Sequence, residues 1–297
     1  MKKAIIIAIV VLLVIGGVYY FIKTPKDVMI IENQNIVDPK EEGGDQIIEN
    51  KMESIIGRSA EGRDITAYHY GTGDTEILFV GGIHGGYEWN TVLVAYELMD
   101  YLKANPNIIS SNERVTVIPV LNPDGLNKVV GTTTRFTVAD VPTTEGSTVI
   151  GRFNGNNVDL NRNFACDWQA EGMWQNKTVS GGTEAFSEPE SQAIKNYIEN
   201  QNPKAVIVWY SAANGVFSSS CHNGVSDEAK ALTNTYAKAS GYPAFEEFNF
   251  YEITGDMMNW LAKENIPAIS VLLTNHTSTE WSKNKAGIDA VLKYFAE

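Results

Sequence analysis

Four short runs of this chain are apolar at almost every consecutive position, and nothing else in the sequence constrains the fold as tightly. They are EILFVGG (76–82), RVTVIPVL (114–121), AVIVWY (205–210) and AISVLLT (268–274). Successive side chains of a strand point to opposite faces, so runs of this kind make strands that are buried on both faces. A further strand is read at ITAYHY (65–70), which alternates. Between the strands lie stretches with helical spacing at 91–102, from Ser187 to about Glu199, at 227–240 before Gly241, and at 281–295. Ser187-Glu188-Pro189-Glu190 reads as a capping box with a proline tolerated in the first turn. Asn122-Pro123-Asp124-Gly125 reads as a turn, and 131–150 as a long loop. The expected class is α/β, with a mixed central sheet and helices on both faces. Ligands of such sheets gather beyond the carboxyl ends of the strands.

The first residues follow another pattern. Met1-Lys2-Lys3 precedes an apolar run, AIIIAIVVLLVIGGVYYFI, over residues 4–22. At ~1.5 Å per residue, a helix over this run would cross a hydrocarbon layer of ~30 Å. The two lysines favour a cytoplasmic amino terminus. No small-x-small cleavage site follows, so the reading is one N-terminal transmembrane helix, retained as an anchor. The expected organisation is an anchor or signal at 1–24, a polar linker at 25–50 and one folded domain at 51–297. That domain would lie outside the cell, held single-pass on the membrane; secretion is the alternative. In an oxidising compartment Cys166 and Cys221 are candidates to pair, although their positions in the chain do not say whether they meet. With 36 acidic and 23 basic residues the net charge is -13, which argues against nucleic-acid binding.

Three segments carry residues suited to chemistry. His84 and Glu88 follow the strand at 76–82, and an imidazole close to a carboxylate is a candidate metal pair, for which zinc is the usual ion. Glu88 also suits the start of a helix as a capping acid. Arg152, Asn161 and Arg162 fall in an asparagine-rich segment of an otherwise acidic chain. An arginine fork grips a carboxylate, and an arginine can stabilise a developing oxyanion. Near the end of the chain Tyr251 offers a hydrogen-bond donor and Glu280 a base.

Taken in order, these segments resemble the zinc carboxypeptidase family of the carboxypeptidase A type, which also includes bacterial murein-peptide amidases. The resemblance begins at Ile55-Ile56-Gly57-Arg58-Ser59-Ala60-Glu61-Gly62-Arg63. It continues through Gly82-Ile83-His84-Gly85, Asn122-Pro123-Asp124-Gly125, Val158-Asp159-Leu160-Asn161-Arg162-Asn163-Phe164 and Phe186-Ser187-Glu188-Pro189-Glu190, and covers roughly 50–295. It implies that His84 and Glu88 bind Zn2+, with three residues between them where the family has two. It implies that Arg152 polarises the scissile carbonyl, and that Asn161 and Arg162 grip the substrate's terminal carboxylate. By the same resemblance Tyr251 closes over the substrate. Met258 tunes the side-chain pocket, and its neutral thioether points away from basic side chains. Two positions depart from the pattern. The third zinc histidine is replaced by Tyr210. The catalytic glutamate, counted from Trp260, is replaced by Leu273. Glu280 is the nearest acid that could stand in, and His222 and His276 are the nearest histidines. The implied function is a zinc-dependent metallocarboxypeptidase that hydrolyses the C-terminal bond of extracellular or cell-wall peptides, such as murein stem peptides. The alternative is an inactive relative that binds peptide carboxylates.

Overall fold

The structure, a computed structural model, describes residues 52–144 and 146–296. The strands are β1 (Glu53–Arg58), β2 (Asp64–Gly71), β3 (Thr75–Val80), β4 (Glu113–Ile118), β5 (Glu171–Trp174), β6 (Lys177–Ser180), β7 (Ala205–Ser211), β8 (Gly215–Ser218), β9 (Ala244–Phe245) and β10 (Ala268–Leu273). The helices are α1 (Trp89–Ala104), α2 (Pro123–Val130), α3 (Pro189–Gln201), α4 (Asp227–Ser240), α5 (Met257–Lys263) and α6 (Trp281–Ala296). Eight strands form one mixed sheet in the order β1-β2-β4-β3-β7-β10-β8-β9. Its centre, β4-β3-β7-β10, is parallel. β1, β2 and β8 run antiparallel to their neighbours nearer that centre.

The apolar runs are the central strands, and their alternation builds two cores. Ile77, Phe79, Ile207, Trp209, Ile269, Val271 and Leu273 pack with buried residues of α1, α4 and α6. Leu78, Val80, Val206, Val208, Tyr210 and Leu272 pack on the other face with α3 and α5. The expected sheet with helices on both faces is therefore present.

Several expectations need correction. The capping box at 187–190 does not form: Glu188 is the N-cap of α3, its side chain caps nothing, and the Ser187 hydroxyl donates to the Glu188 carboxylate instead. Asn122-Pro123-Asp124-Gly125 is the start of a helix rather than a turn, because the Asn122 side chain accepts from Gly125 N and caps α2. The hairpin β5–β6 and the helix α5 carry no strong periodicity and were not expected. The membrane-spanning helix, the single-pass placement and the membrane as a partner are also corrected. Among the described residues no helix is long and apolar enough to cross a membrane, and residues 4–22 lie outside them. The linker at 25–50 lies outside them as well.

Candidate active site

The central parallel strands end beside a cavity of about 540 Å³. His84 reaches it from the turn after β3, Glu88 from the residue before α1, and Tyr210 from the end of β7. Leu272 comes from the end of β10, and Met258 from α5. Arg152, Asn161, Tyr251 and His276 complete the candidate residues on its wall.

His84 is buried between two carboxylates. Its Nδ1 lies 3.0 Å from Glu88 Oε1 and its Nε2 3.3 Å from Asp159 Oδ1. Glu88 makes no side-chain cap to α1, so its carboxylate is turned to the histidine and not to the helix. Asp159 also takes the Arg152 guanidinium, with Nε at 2.9 Å and Nη2 at 2.8 Å, and accepts from Asn161 N at 3.1 Å. Burial alone would raise the Asp159 carboxyl, but the charge of Arg152 and the contact with His84 outweigh it and hold it far below the ordinary range. Arg152 stacks over Trp174, 4.5 Å from the ring centroid. Asp159 stands inside the motif that carries the resemblance. Its sequence signal is its place two residues before Asn161 and seven after Arg152, yet only the fold shows that it joins Arg152 to His84.

Tyr210 donates its hydroxyl to Asn161 Oδ1 at 3.2 Å. Burial first, then the nearby carboxylates of Asp256, Glu88 and Asp159, push its phenol well above the ordinary value. It is a neutral phenol, and a neutral phenol is a poor zinc ligand. The position counted in the sequence for the base, Leu273, does not face the cavity. Leu272 faces the cavity, while Leu273 is buried on the opposite face of β10, as alternation requires. Leucine is found at either position, so the vacancy for a base stands.

The other candidates separate. His276 lies on the cavity wall with its ring 4.7 Å from that of Tyr87, and its Nδ1 has no partner. Burial lowers its pKa, which favours the neutral imidazole. His222 is exposed, pairs with Asp167 at 3.0 Å and does not line the cavity. Glu280 is turned away from the cavity: it accepts from Thr274 N at 2.6 Å, Tyr242 Oη at 2.9 Å and Lys283 Nζ at 3.0 Å. Arg162 is fully buried behind the wall. Its Nη1 donates to Asn161 O at 2.7 Å and its Nη2 to Met173 O at 2.6 Å, and Gly172 of β5 packs against its stem. The hairpin missed in the sequence thus takes up the fork that was expected to grip a carboxylate. Tyr251 is half-exposed on the rim, its ring packed on Phe248.

A family model described as zinc carboxypeptidase matches residues 49–291. The chain belongs to the zinc carboxypeptidase family. Among curated family members it is similar to the carboxypeptidase N catalytic chain of Homo sapiens, 29% identical over 182 residues that make up 57% of this chain and 37% of that one. It is likewise similar to carboxypeptidase Z of Gallus gallus, 30% identical over 57% of this chain and 26% of that one. The matched region thus spans well under half the length of these curated relatives. In fold it resembles the murein-tripeptide amidase MpaA from Escherichia coli O157, with a TM-score of 0.55 at 19% identity over 81% of this chain and 90% of that one. It also resembles bovine thrombin-activatable fibrinolysis inhibitor, with a TM-score of 0.63 at 16% identity over 82% and 88%.

The family's zinc calls for three protein ligands and a water. His84 Nδ1 makes no well-formed hydrogen bond despite its 3.0 Å approach to Glu88 Oε1, and Glu88 Oε2 has no partner, as two such ligands would be. The third is lacking. Among the described residues, the one group of three His, Cys, Asp or Glu ligand atoms within 4.8 Å of one another is Cys166, Cys221 and His222. That group is metal-capable on spacing alone, and none of its residues lines the cavity. Its cysteines are joined in a disulfide, so neither offers the thiolate that a metal requires. The residues present therefore do not complete a family zinc site.

Proposed function

We propose that the cavity binds the carboxyl-terminal end of a peptide and does not hydrolyse it. The observation that carries this reading is the pair Tyr210 and Leu272 on the cavity wall. A neutral phenol stands where the resemblance puts the third metal ligand, and a hydrocarbon stands where it puts the base that takes a proton from water. The carboxylate-reading side keeps its parts. Arg152 is fixed by Asp159, the Asn161 side chain faces the cavity, and the Tyr251 hydroxyl is on the rim. Asn161 and Arg152 would hold the terminal carboxylate, with Tyr251 closing from outside. Arg162 has no place in this grip, because it is buried off the cavity wall and its two terminal nitrogens are given to backbone carbonyls.

A second reading, zinc-dependent cleavage of the C-terminal residue of cell-wall or other peptides, is favoured by one observation. Glu88 Oε2 and His276 Nδ1 lack partners, His84 Nδ1 meets only the Glu88 carboxylate, and all three residues line the cavity. Metal content separates the two. Protein dialysed against micromolar zinc should hold well under one ion per chain by elemental mass spectrometry, should bind peptide acids more tightly than the matching amides, and should release no terminal residue from peptides or murein stem peptides. Tyr210→His should raise the zinc content. A native stoichiometry near one that His84→Ala abolishes, together with turnover, would replace binding by hydrolysis.

A further inference from the structure

On the face of the sheet that α3 covers, a serine and a histidine meet. Ile65 and Ala67 of β2 alternate onto this face and are fully buried, and the next residue in the alternation is His69. Its Nε2 lies 2.9 Å from Ser54 Oγ of β1, and its Nδ1 lies 3.1 Å from Thr116 Oγ1 of β4. Thr116 donates its hydroxyl to Glu76 Oε1 at 2.6 Å, and Tyr197 of α3 donates to the same oxygen at 2.5 Å. Arg114 Nη2 meets the other oxygen of this buried carboxylate, also at 2.6 Å. The donors fix the direction of the series. Thr116 has spent its one proton on Glu76 and can only accept from His69. Nδ1 therefore carries the imidazole proton, and Nε2 keeps its lone pair for the Ser54 hydroxyl. Burial lowers the pKa of His69; the charge of Glu76 opposes this, that of Arg114 adds to it, and the balance favours the neutral ring.

The series opens into a space of its own. Ser54 and His69 line a second cavity, of about 690 Å³, which shares no lining residue with the first. Its wall joins apolar surface from Leu102 and Ile109 to the exposed Lys103, in the last turn of α1. We propose that Ser54 is the nucleophile of a second site, one that hydrolyses carboxylic esters, with His69 as its general base and Thr116 and Glu76 fixing the imidazole tautomer. Ser54 Oγ attacks the ester carbonyl carbon and passes its proton to His69 Nε2. The bond to the alcohol oxygen breaks, the alcohol leaves with that proton, and the acyl group stays on Ser54. Water then attacks the acyl carbon, His69 Nε2 takes one of its protons and returns it to Ser54 Oγ, and the carboxylic acid departs. The imidazolium formed in each half is stabilised through Thr116 by the Glu76 carboxylate. Leu102 and Ile109 suit a short apolar acyl group, and the charges of Lys103 and Arg114 favour the oxyanion that develops on the carbonyl.

Two probes test this on the full chain. A fluorophosphonate, which phosphonylates activated serines, should label Ser54, as read by peptide mass spectrometry. With p-nitrophenyl butyrate the protein should release p-nitrophenol well beyond one equivalent per chain. Ser54→Ala should abolish the label and lower kcat/KM by at least about a hundredfold, and His69→Gln should lower kcat/KM to the same extent. Ser54 is partly exposed, so the alanine variant should fold, and thermal unfolding verifies it. Thr116 acts only through His69, so Thr116→Val should lower kcat with KM unchanged and Thr116→Ser should keep it. A role in packing alone predicts the reverse, because valine preserves the shape of threonine and serine its hydroxyl. A label that misses Ser54 overturns the proposal. So does native turnover in Ser54→Ala, and so does acylation that stops at one equivalent.

Discussion

At the scale of single residues, Asp159 decides how the site is built. It is fully buried, holds Arg152 by two nitrogens and touches His84. Removing one partner of a buried ion pair leaves the other charge uncompensated, at a cost of about 3–5 kcal/mol. Asp159→Asn should lower stability by that order in urea denaturation and should weaken peptide binding as Arg152 loses its position. A stability change under about 1 kcal/mol would show that Arg152 finds another partner. Glu280 is a structural acid in the same sense, away from the cavity. Burial opposes its ionisation, but the Thr274 amide, Lys283, the Thr274 hydroxyl and Tyr242 outweigh burial and hold its carboxyl below the ordinary glutamate range. A carboxyl lowered in the folded state adds stability that is full above its unfolded pKa and is lost as pH falls through the folded value. The stability gap between native protein and Glu280→Gln should therefore be widest at neutral pH and close in acid, below the ordinary glutamate range. A gap independent of pH would refute this account.

At the scale of elements, the site depends on how closely three loops approach. Gly85 follows His84 with φ +44, and a Cβ there would lie 2.7 Å from both Gly151 O and Leu126 N. Gly125, in the first turn of α2, would bring a Cβ to 2.2 Å from the same Gly151 carbonyl. Backbone atoms cannot turn aside as a side chain can. Gly85→Ala combines this clash with a left-handed backbone and should cost about 2 kcal/mol or more, read by chemical denaturation. An alanine variant as stable as the native protein would mean that the turn has room which the geometry denies. The sequence showed the glycines, but not what each one touches. Leu272 and Leu273 teach a related lesson. Counting along the chain from Trp260 gives Leu273 as the base position, and an error of one residue reverses the face of a strand. Only the sheet register, with Leu272 opposite Tyr210, shows which leucine meets the cavity.

At the scale of the whole molecule, one covalent link joins distant parts. Cys166, just after the Arg152–Arg162 segment, is bonded to Cys221 beyond β8, 55 residues on. A crosslink of this span restricts the unfolded chain and typically adds about 2–4 kcal/mol. Denaturation with and without a reductant should show a loss of that order; identical midpoints would mean that the bond contributes nothing to stability.

The sequence alone determined the fold class and the main elements, because hydrophobic periodicity is a local property. Strands apolar at every position must be buried on both faces, and the helices between them must cover those faces. It also determined which short segments gather at the site, since loops after parallel strands share one edge of the sheet. It could not determine the partners within that site. Arg162 and Glu280 carry the right chemistry but are committed elsewhere, to backbone carbonyls under a hairpin and to Thr274, Tyr242 and Lys283. Asp159 and Asp256 drew no attention in the sequence and prove to be buried at the site. The physical reason is common to all four. Whether a polar side chain is available depends on burial and on contacts between residues far apart in the chain, and only the tertiary structure decides those.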